Sequence, residues 1–220
     1  MKDLKNMSAN SYKTILKRGI DEFEVDRSRF IGSAQFADTQ EEAENFIKEI
    51  SEKYKDATHN VYAYIIDNTV MKYSDDGEPS GTAGPPILSI LQNKKLKKTV
   101  VVVTRYFGGR LLGKGGLVRA YSKATLLALD KALIIDKTLY FDVQLIVSYL
   151  DLGRIKNYLS IENIHILKED FTDKVCIQIY IHTQGREKLI KDLNDLTNGN
   201  IDIKINKELF LPELDGKIIL

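Results

Sequence analysis

Residues 12–17 and 20–26 alternate apolar and polar side chains, and residues 28–36 continue in the same style. A period of two predicts half-buried strands, because successive strand side chains point to opposite faces. The period then changes. Ala43, Phe46, Ile47 and Ile50 have helical spacing, and Thr39 with Glu42 three residues on makes a capping box ahead of them. Residues 61–66 are β-branched and aromatic, which predicts a strand. The run TVVVVTRY from Thr99 to Tyr106 has no polar alternation, the pattern of a strand buried on both faces. Between these strands lies SDDGEPSGTAGPP, residues 74–86, whose Gly, Pro, Asp and Ser predict a loop. Pro85 and Pro86 open a short helix through Leu91, since proline is tolerated in a first turn. After Tyr106 comes FGGRLLGKGG, then an apolar-rich helix from about Leu117 to Leu133.

The last third has a clear order. Residues 140–149 read as a strand and 151–159 as a helix. Residues 164–171 and 175–182 read as strands joined through Thr172 and Asp173. Residues 186–196 read as a helix and 201–207 as a strand. This β-α-β-β-α-β order is ferredoxin-like. The fold class is therefore α+β, in two domains of residues 1–137 and 138–220, a division that 220 residues can support.

Charge changes this picture more than composition does. The net charge is +1, yet from Pro79 to Leu129 there is no acid and nine bases: Lys94, Lys95, Lys97, Lys98, Arg105, Arg110, Lys114, Arg119 and Lys123. Such a stretch is either a solvated basic face or an electropositive patch for phosphate or an acidic partner. Apolar runs such as residues 100–103 and 126–129 fall far short of the roughly 20 residues that cross a bilayer. The N-terminus MKDLKNMSANSYK lacks the apolar core of a secretory signal. No membrane partner is expected, and the expected location is cytoplasmic. Cys176 is the only cysteine, so one chain can form neither a disulfide nor a thiolate metal cluster.

Residues 108–114 read G-x-x-x-x-G-K between a predicted strand and a predicted helix, the context of a phosphate-binding P-loop. A P-loop then needs Ser or Thr to hold magnesium, and Gly115 stands there, which argues against nucleotide hydrolysis. What survives is anion binding. Gly108, Gly109, Gly113, Gly115 and Gly116 allow close backbone approach, a helix N-terminus favours anions, and Arg105, Arg110, Lys114 and Arg119 add charge. The alternative is that the glycines only make a tight strand-to-helix turn. Asp75, Asp76 and Glu78, with His59 upstream, are carboxylates of the kind that bind hard cations, but the spacing fits neither an EF-hand nor HExxH. A structural loop running through Asp75, Asp76, Gly77, Glu78, Pro79, Ser80 and Gly81 is the better reading, with Glu78 paired to Arg105 or Arg110. Cys176 shares a strand face with Gln178, Tyr180 and His182. Tyr180 is the one good stacking candidate there, so a conventional RNA-recognition sheet is not expected. No catalytic residue, metal site or cofactor is predicted.

The segments SDDGEPSGTAGPPIL (residues 74–88) and VVVTRYFGGRLLGKGGLVRAYSKA (residues 101–124), with DATHNVYAY (residues 56–64) and SRFIG (residues 28–32), resemble the IMPACT/YigZ family. The resemblance implies an N-terminal ribosomal-protein-like α/β domain of the left-handed βαβ type and a ferredoxin-like C-terminal domain. Together these look like the two C-terminal domains of elongation factor G, which implies ribosome or RNA contact. Eukaryotic members are translational regulators that bind a large effector of a stress kinase. The expectation is a non-enzymatic, translation-associated regulatory protein that binds RNA or an anionic ribosomal surface. The alternatives are an enzyme acting on a phosphorylated small molecule and an interaction module for an acidic protein partner.

Overall fold

The computed structural model describes residues 10–219. They form a mixed α+β protein with two sheets and two compact units, Tyr12–Asp136 and, in the other, the residues before Tyr12 together with those from Lys137 onward. In the first unit, β2 (Gly19–Val25), β3 (Ser28–Phe36), β4 (His59–Ile65), β5 (Met71–Ser74) and β6 (Thr99–Tyr106) make one antiparallel sheet in the order β2-β3-β6-β4-β5. A further strand, β1 (Ser11–Ile15), precedes them.

The central strand explains the layering. In β6 every residue but Tyr106 is buried. Val100 and Val102 pack under α1 (Gln40–Lys53) with Phe46, Ile50 and Tyr64. Val101 and Val103 face the opposite way, toward α2 (Gly84–Asn93) and α3 (Gly113–Ala132), and meet Ile87, Leu91, Tyr121 and Ala124. Helices on both faces need an unbroken apolar strand, which is what the sequence pattern predicted.

Helix α1 starts at its predicted cap. Thr39 Oγ1 accepts from Glu42 N at 3.2 Å, while the Glu42 carboxylate accepts from Asp38 N at 2.7 Å rather than from the cap residue itself. Helix α3 begins four residues earlier than its apolar periodicity suggests. Gly113, Gly115 and Gly116 present no side chain to a pattern reader, yet with Lys114 they form its first turn. Strand β5 is mostly exposed and was not anticipated. It joins the edge by pairing Tyr62 with Ser74 and Ile65 with Met71.

The second unit holds β7 (Ile134–Val147), α4 (Leu152–Ile161), β8 (Ile166–Phe171), β9 (Val175–His182), α5 (Arg186–Thr197), β10 (Ile201–Leu214) and β11 (Lys217–Ile218). Its strand order β11-β10-β7-β9-β8 contains the ferredoxin-like arrangement. Ile155, Leu159, Leu189 and Leu193 of the helices pack on Val143, Leu145, Ile177 and Ile179. Strand β10 runs seven residues past its predicted end. It then turns through Asp215 and Gly216, both at positive φ, to pair with β11, as a tight hairpin demands.

On the sheet face away from the helices, Gln178 Nε2 donates to Asp142 Oδ1 at 3.0 Å, and Tyr180 is half-buried. The other tyrosine of that face, Tyr140, is buried and donates to Glu213, so a buried carboxylate and one half-open ring make a poor stacking platform for bases.

Candidate functional site

The site is built around the C-terminal end of β6. Arg105, the penultimate residue of that strand, is only 5% exposed, and Glu78 in the loop after β5 is 7% exposed. Arg105 Nη1 donates to Glu78 Oε1 at 2.7 Å, and the Tyr121 hydroxyl of α3 donates to the same oxygen at 2.7 Å. Arg105 Nη2 reaches Ser28 Oγ at 3.4 Å, and its guanidinium lies between the Phe30 and Phe107 rings, 5.4 and 5.3 Å from their centroids. Its Nε is buried with no hydrogen-bond partner. Two aromatic faces and one carboxylate thus hold a charge that the low-dielectric interior would otherwise reject. Of the two arginines offered to Glu78 by sequence, the structure selects Arg105. Arg110 lies on the surface, 3.8 Å from Asp26 in an exposed pair that contributes little.

The loop before this pair is tied down by its other carboxylates. Asp75 accepts from Gly84 N at 2.8 Å and Ala83 N at 3.1 Å through Oδ1, and from Gly81 N at 2.9 Å through Oδ2. It therefore serves the start of α2, which has no side-chain bond from its own N-cap residue. Asp76 Oδ2 accepts from Asn60 N at 2.6 Å, fastening the loop to β4. Asp76 and Gly77 sit at positive φ and bring Glu78 N onto Asp75 O at 2.9 Å. Each carboxylate faces a different partner, and among the described residues no three His, Cys, Asp or Glu side chains are grouped as a metal requires. Pro79, Ser80 and Gly81 lie exposed at the loop's tip.

The glycine-rich loop approaches from the other side. Phe107 N donates to Thr58 Oγ1 at 3.0 Å and Gly108 N to Ser28 Oγ at 3.2 Å. The first turn of α3 then exposes Gly113, Lys114 and Gly115, and no side chain caps it. The two loops frame a cleft of about 410 Å³, with Glu78, Arg105 and His59 at its floor and Phe107, Leu111 and Leu117 among its walls. His59 Nδ1 lies 2.6 Å from the carbonyl oxygen of Asp76. A carbonyl only accepts, so Nδ1 carries the hydrogen and the neutral ring has a free acceptor at Nε2. That Nε2 is 3.9 Å from Glu78 Oε1.

Two assignments change. Arg105 was expected to meet phosphate, but it is buried and engaged by Glu78, so it cannot supply surface charge. Gly108 is not an open backbone position, because a Cβ there would lie 2.0 Å from Arg27 O. Arg110, Lys114 and Arg119 remain exposed. Ser28, Thr58, His59, Phe107 and Tyr121 also belong to the site. Nothing in periodicity marks them, but Ser28, Thr58 and His59 lie inside the short segments that carried the family resemblance.

Burial pushes the Tyr121 hydroxyl far above its ordinary value, and the hydrogen bond to Glu78 and that carboxylate's charge push the same way. A phenol raised in the folded state adds stability below its unfolded pKa of about 10, and this is lost as pH rises beyond it. Denaturant midpoints measured from about pH 8 to about pH 11 should fall. Tyr121→Phe should make that fall shallower, by up to one proton's contribution.

Fold and site together define a two-unit α+β protein whose first unit closes a carboxylate–guanidinium network under an apolar cleft. The Impact N-terminal domain matches residues 26–129, and a domain of unknown function, DUF1949, matches residues 145–200. The chain is 38% identical to the IMPACT family member YvyE of Bacillus subtilis over 92% of its own length and 94% of that protein's. It is 31% identical to the IMPACT family member YigZ of Escherichia coli over 82% of its length and 90% of that protein's. It belongs to the IMPACT family. A solved structure titled as a hypothetical protein superposes with a TM-score of 0.57 at 29% identity, covering 90% of this chain and 98% of the other. Protein IMPACT of Danio rerio matches at 43% identity, over 29% of this chain and 21% of its own. No helix among the described residues is long and apolar enough to cross a membrane.

Proposed function

We propose that this protein is a non-enzymatic, translation-associated regulator that binds RNA through the loop after β6 and the first turn of α3. The observation that carries the reading is a basic surface with no acid in its own stretch of chain. Of the nine bases between Pro79 and Leu129, Arg105 is neutralised by Glu78, Lys98 pairs with Asp38, Lys97 is half-buried and Lys123, though exposed, lies over the Phe23 ring. Lys94, Lys95, Arg110, Lys114 and Arg119 stay exposed. Three of these flank backbone amides at an uncapped helix start, which adds partial positive charge toward phosphate.

A surface of this kind binds by releasing counterions, so affinity must fall as salt rises. Titration of labelled single-stranded RNA from about 50 to about 200 mM salt should show a steep loss. Arg110→Glu with Lys114→Glu should abolish binding at every salt concentration. Affinity that ignores salt, or that survives the double substitution, would refute the reading.

A second reading is favoured by a different surface. Val118, Leu126 and Leu133 are exposed along a groove beside α3, and Lys94, Arg119 and Lys123 rim it with one acid, Asp130. An apolar floor with a basic rim suits an acidic amphipathic helix of a protein partner. The RNA reading ranks first because the exposed amides and Lys114 lie outside that groove.

A further inference from the structure

The cleft between the two loops differs chemically from the basic rim beside it. Its size, about 410 Å³, lies at the lower end of ligand pockets, which run to roughly 300–1,000 Å³. Leu111, 91% exposed, and Phe107, 43% exposed, stand at its mouth. The Phe107 ring has the buried Arg105 guanidinium over it, 5.3 Å from its centroid, and the residue is still exposed to solvent. An exposed aromatic ring beside a phosphate-binding surface is the usual platform for an unstacked base.

The floor offers acceptors. Glu78 is an acceptor by charge. The contacts from Arg105, Tyr121 and His59 all fall on Oε1, and Oε2 takes no part in them. His59, with Nδ1–H committed to the Asp76 carbonyl, presents Nε2 as a second acceptor close by. Two neighbouring acceptors select a ligand edge with two neighbouring donors. Adenine and cytosine place an acceptor beside their amino group, and uracil flanks its one N–H with carbonyls. Guanine alone among RNA bases carries two adjacent donors, N1–H and the N2 amino group.

We propose that the cleft receives a single unpaired guanine base, with Phe107 stacking on it, Glu78 and His59 accepting from its N1–H and N2 amino edge, and Lys114 on its phosphate. This deepens the RNA reading and rests on it, except that the same base can arrive on a free guanine nucleotide.

The test uses the full chain and three single-stranded oligonucleotides of uridine that carry one central guanosine, inosine or uridine. Inosine lacks only the N2 amino group. Guanosine should bind about tenfold more tightly than inosine, the loss expected when a hydrogen bond to a charged acceptor is removed, and uridine should be no better than inosine. Phe107→Ala, which removes the stacking ring but keeps Glu78 and its hydrogen bonds, should weaken binding of all three oligonucleotides and erase the guanosine preference. A parallel titration with GMP separates the sources: saturable GMP binding that Phe107→Ala removes supports the pocket even if no oligonucleotide binds. Equal, salt-dependent affinity for all three oligonucleotides overturns the guanine pocket and leaves the RNA reading intact. Absence of binding to any oligonucleotide and to GMP overturns both.

Discussion

Glu78→Ala is expected to destabilise the first unit by about 3–5 kcal/mol, because it strands the Arg105 guanidinium in an interior that no longer neutralises it. The cost comes from the charge left behind more than from the bond removed. Arg105 is already imperfectly served, with Nε buried and unpartnered, and would keep only the 3.4 Å approach to Ser28 Oγ and the two rings. Arg105→Met should cost a similar amount for the converse reason, leaving Glu78 buried with only a tyrosine hydroxyl at hydrogen-bonding distance. The double variant Glu78→Met with Arg105→Met should lose much less than the two single losses added together, since no charge then remains buried. Urea unfolding of the four proteins measures this. Additive losses would show that the two side chains do not act as a pair.

The pair also explains how the two loops are held. Glu78 sits on one loop, Arg105 one residue before Tyr106 at the end of β6, and Tyr121 on the helix that the glycine loop leads into. One carboxylate oxygen therefore ties three separate pieces of chain together. Asp75 and Asp76 tie the same loop to α2 and β4. The floor of the cleft is thus fixed by hydrogen bonds while the basic side chains around it are exposed, the division expected of a preorganised binding site.

The strands and helices were legible where burial imposes a period. The two-faced burial of β6 and the one-faced burial of β9 read directly from TVVVVTRY and VCIQIYIH. Strand β5 did not, because an edge strand with three exposed residues of four carries no alternation. The start of α3 was hidden because glycine is neutral in hydropathy and poor in helix propensity, so only the long helix behind it holds that first turn. The site was legible as a neighbourhood and not as chemistry. A loop of carboxylates and a loop of glycines pointed to the right two segments. Which carboxylate meets the arginine, and which merely serves backbone amides, depends on the turn at Asp76 and Gly77; the Asp-Gly pair signals such a turn but not which side chain it aims inward.

The glycines themselves separate structural need from ligand need, and substituting them one at a time should show it. Gly108→Ala is expected to cost about 3 kcal/mol, because its Cβ would lie 2.0 Å from Arg27 O and 2.1 Å from Arg27 C, both backbone atoms. Gly109→Ala meets nothing within 4 Å but must hold φ near +80°, so it should cost about 1–2 kcal/mol. Gly115→Ala has neither problem. Its nearest neighbour is the flexible tip of Arg119 at 3.5 Å and its backbone is helical, so it should stabilise by about 0.5 kcal/mol. On the proposed RNA-binding reading, the same residue lies among the first-turn amides of α3 that would meet a phosphate. Gly115→Ala should therefore raise the unfolding midpoint while weakening RNA binding, because the added methyl group stands between the amides and the strand. A gain in stability with unchanged affinity would mean that the backbone there is not part of the binding surface, and the charge of Arg110 and Lys114 would have to account for the whole of it.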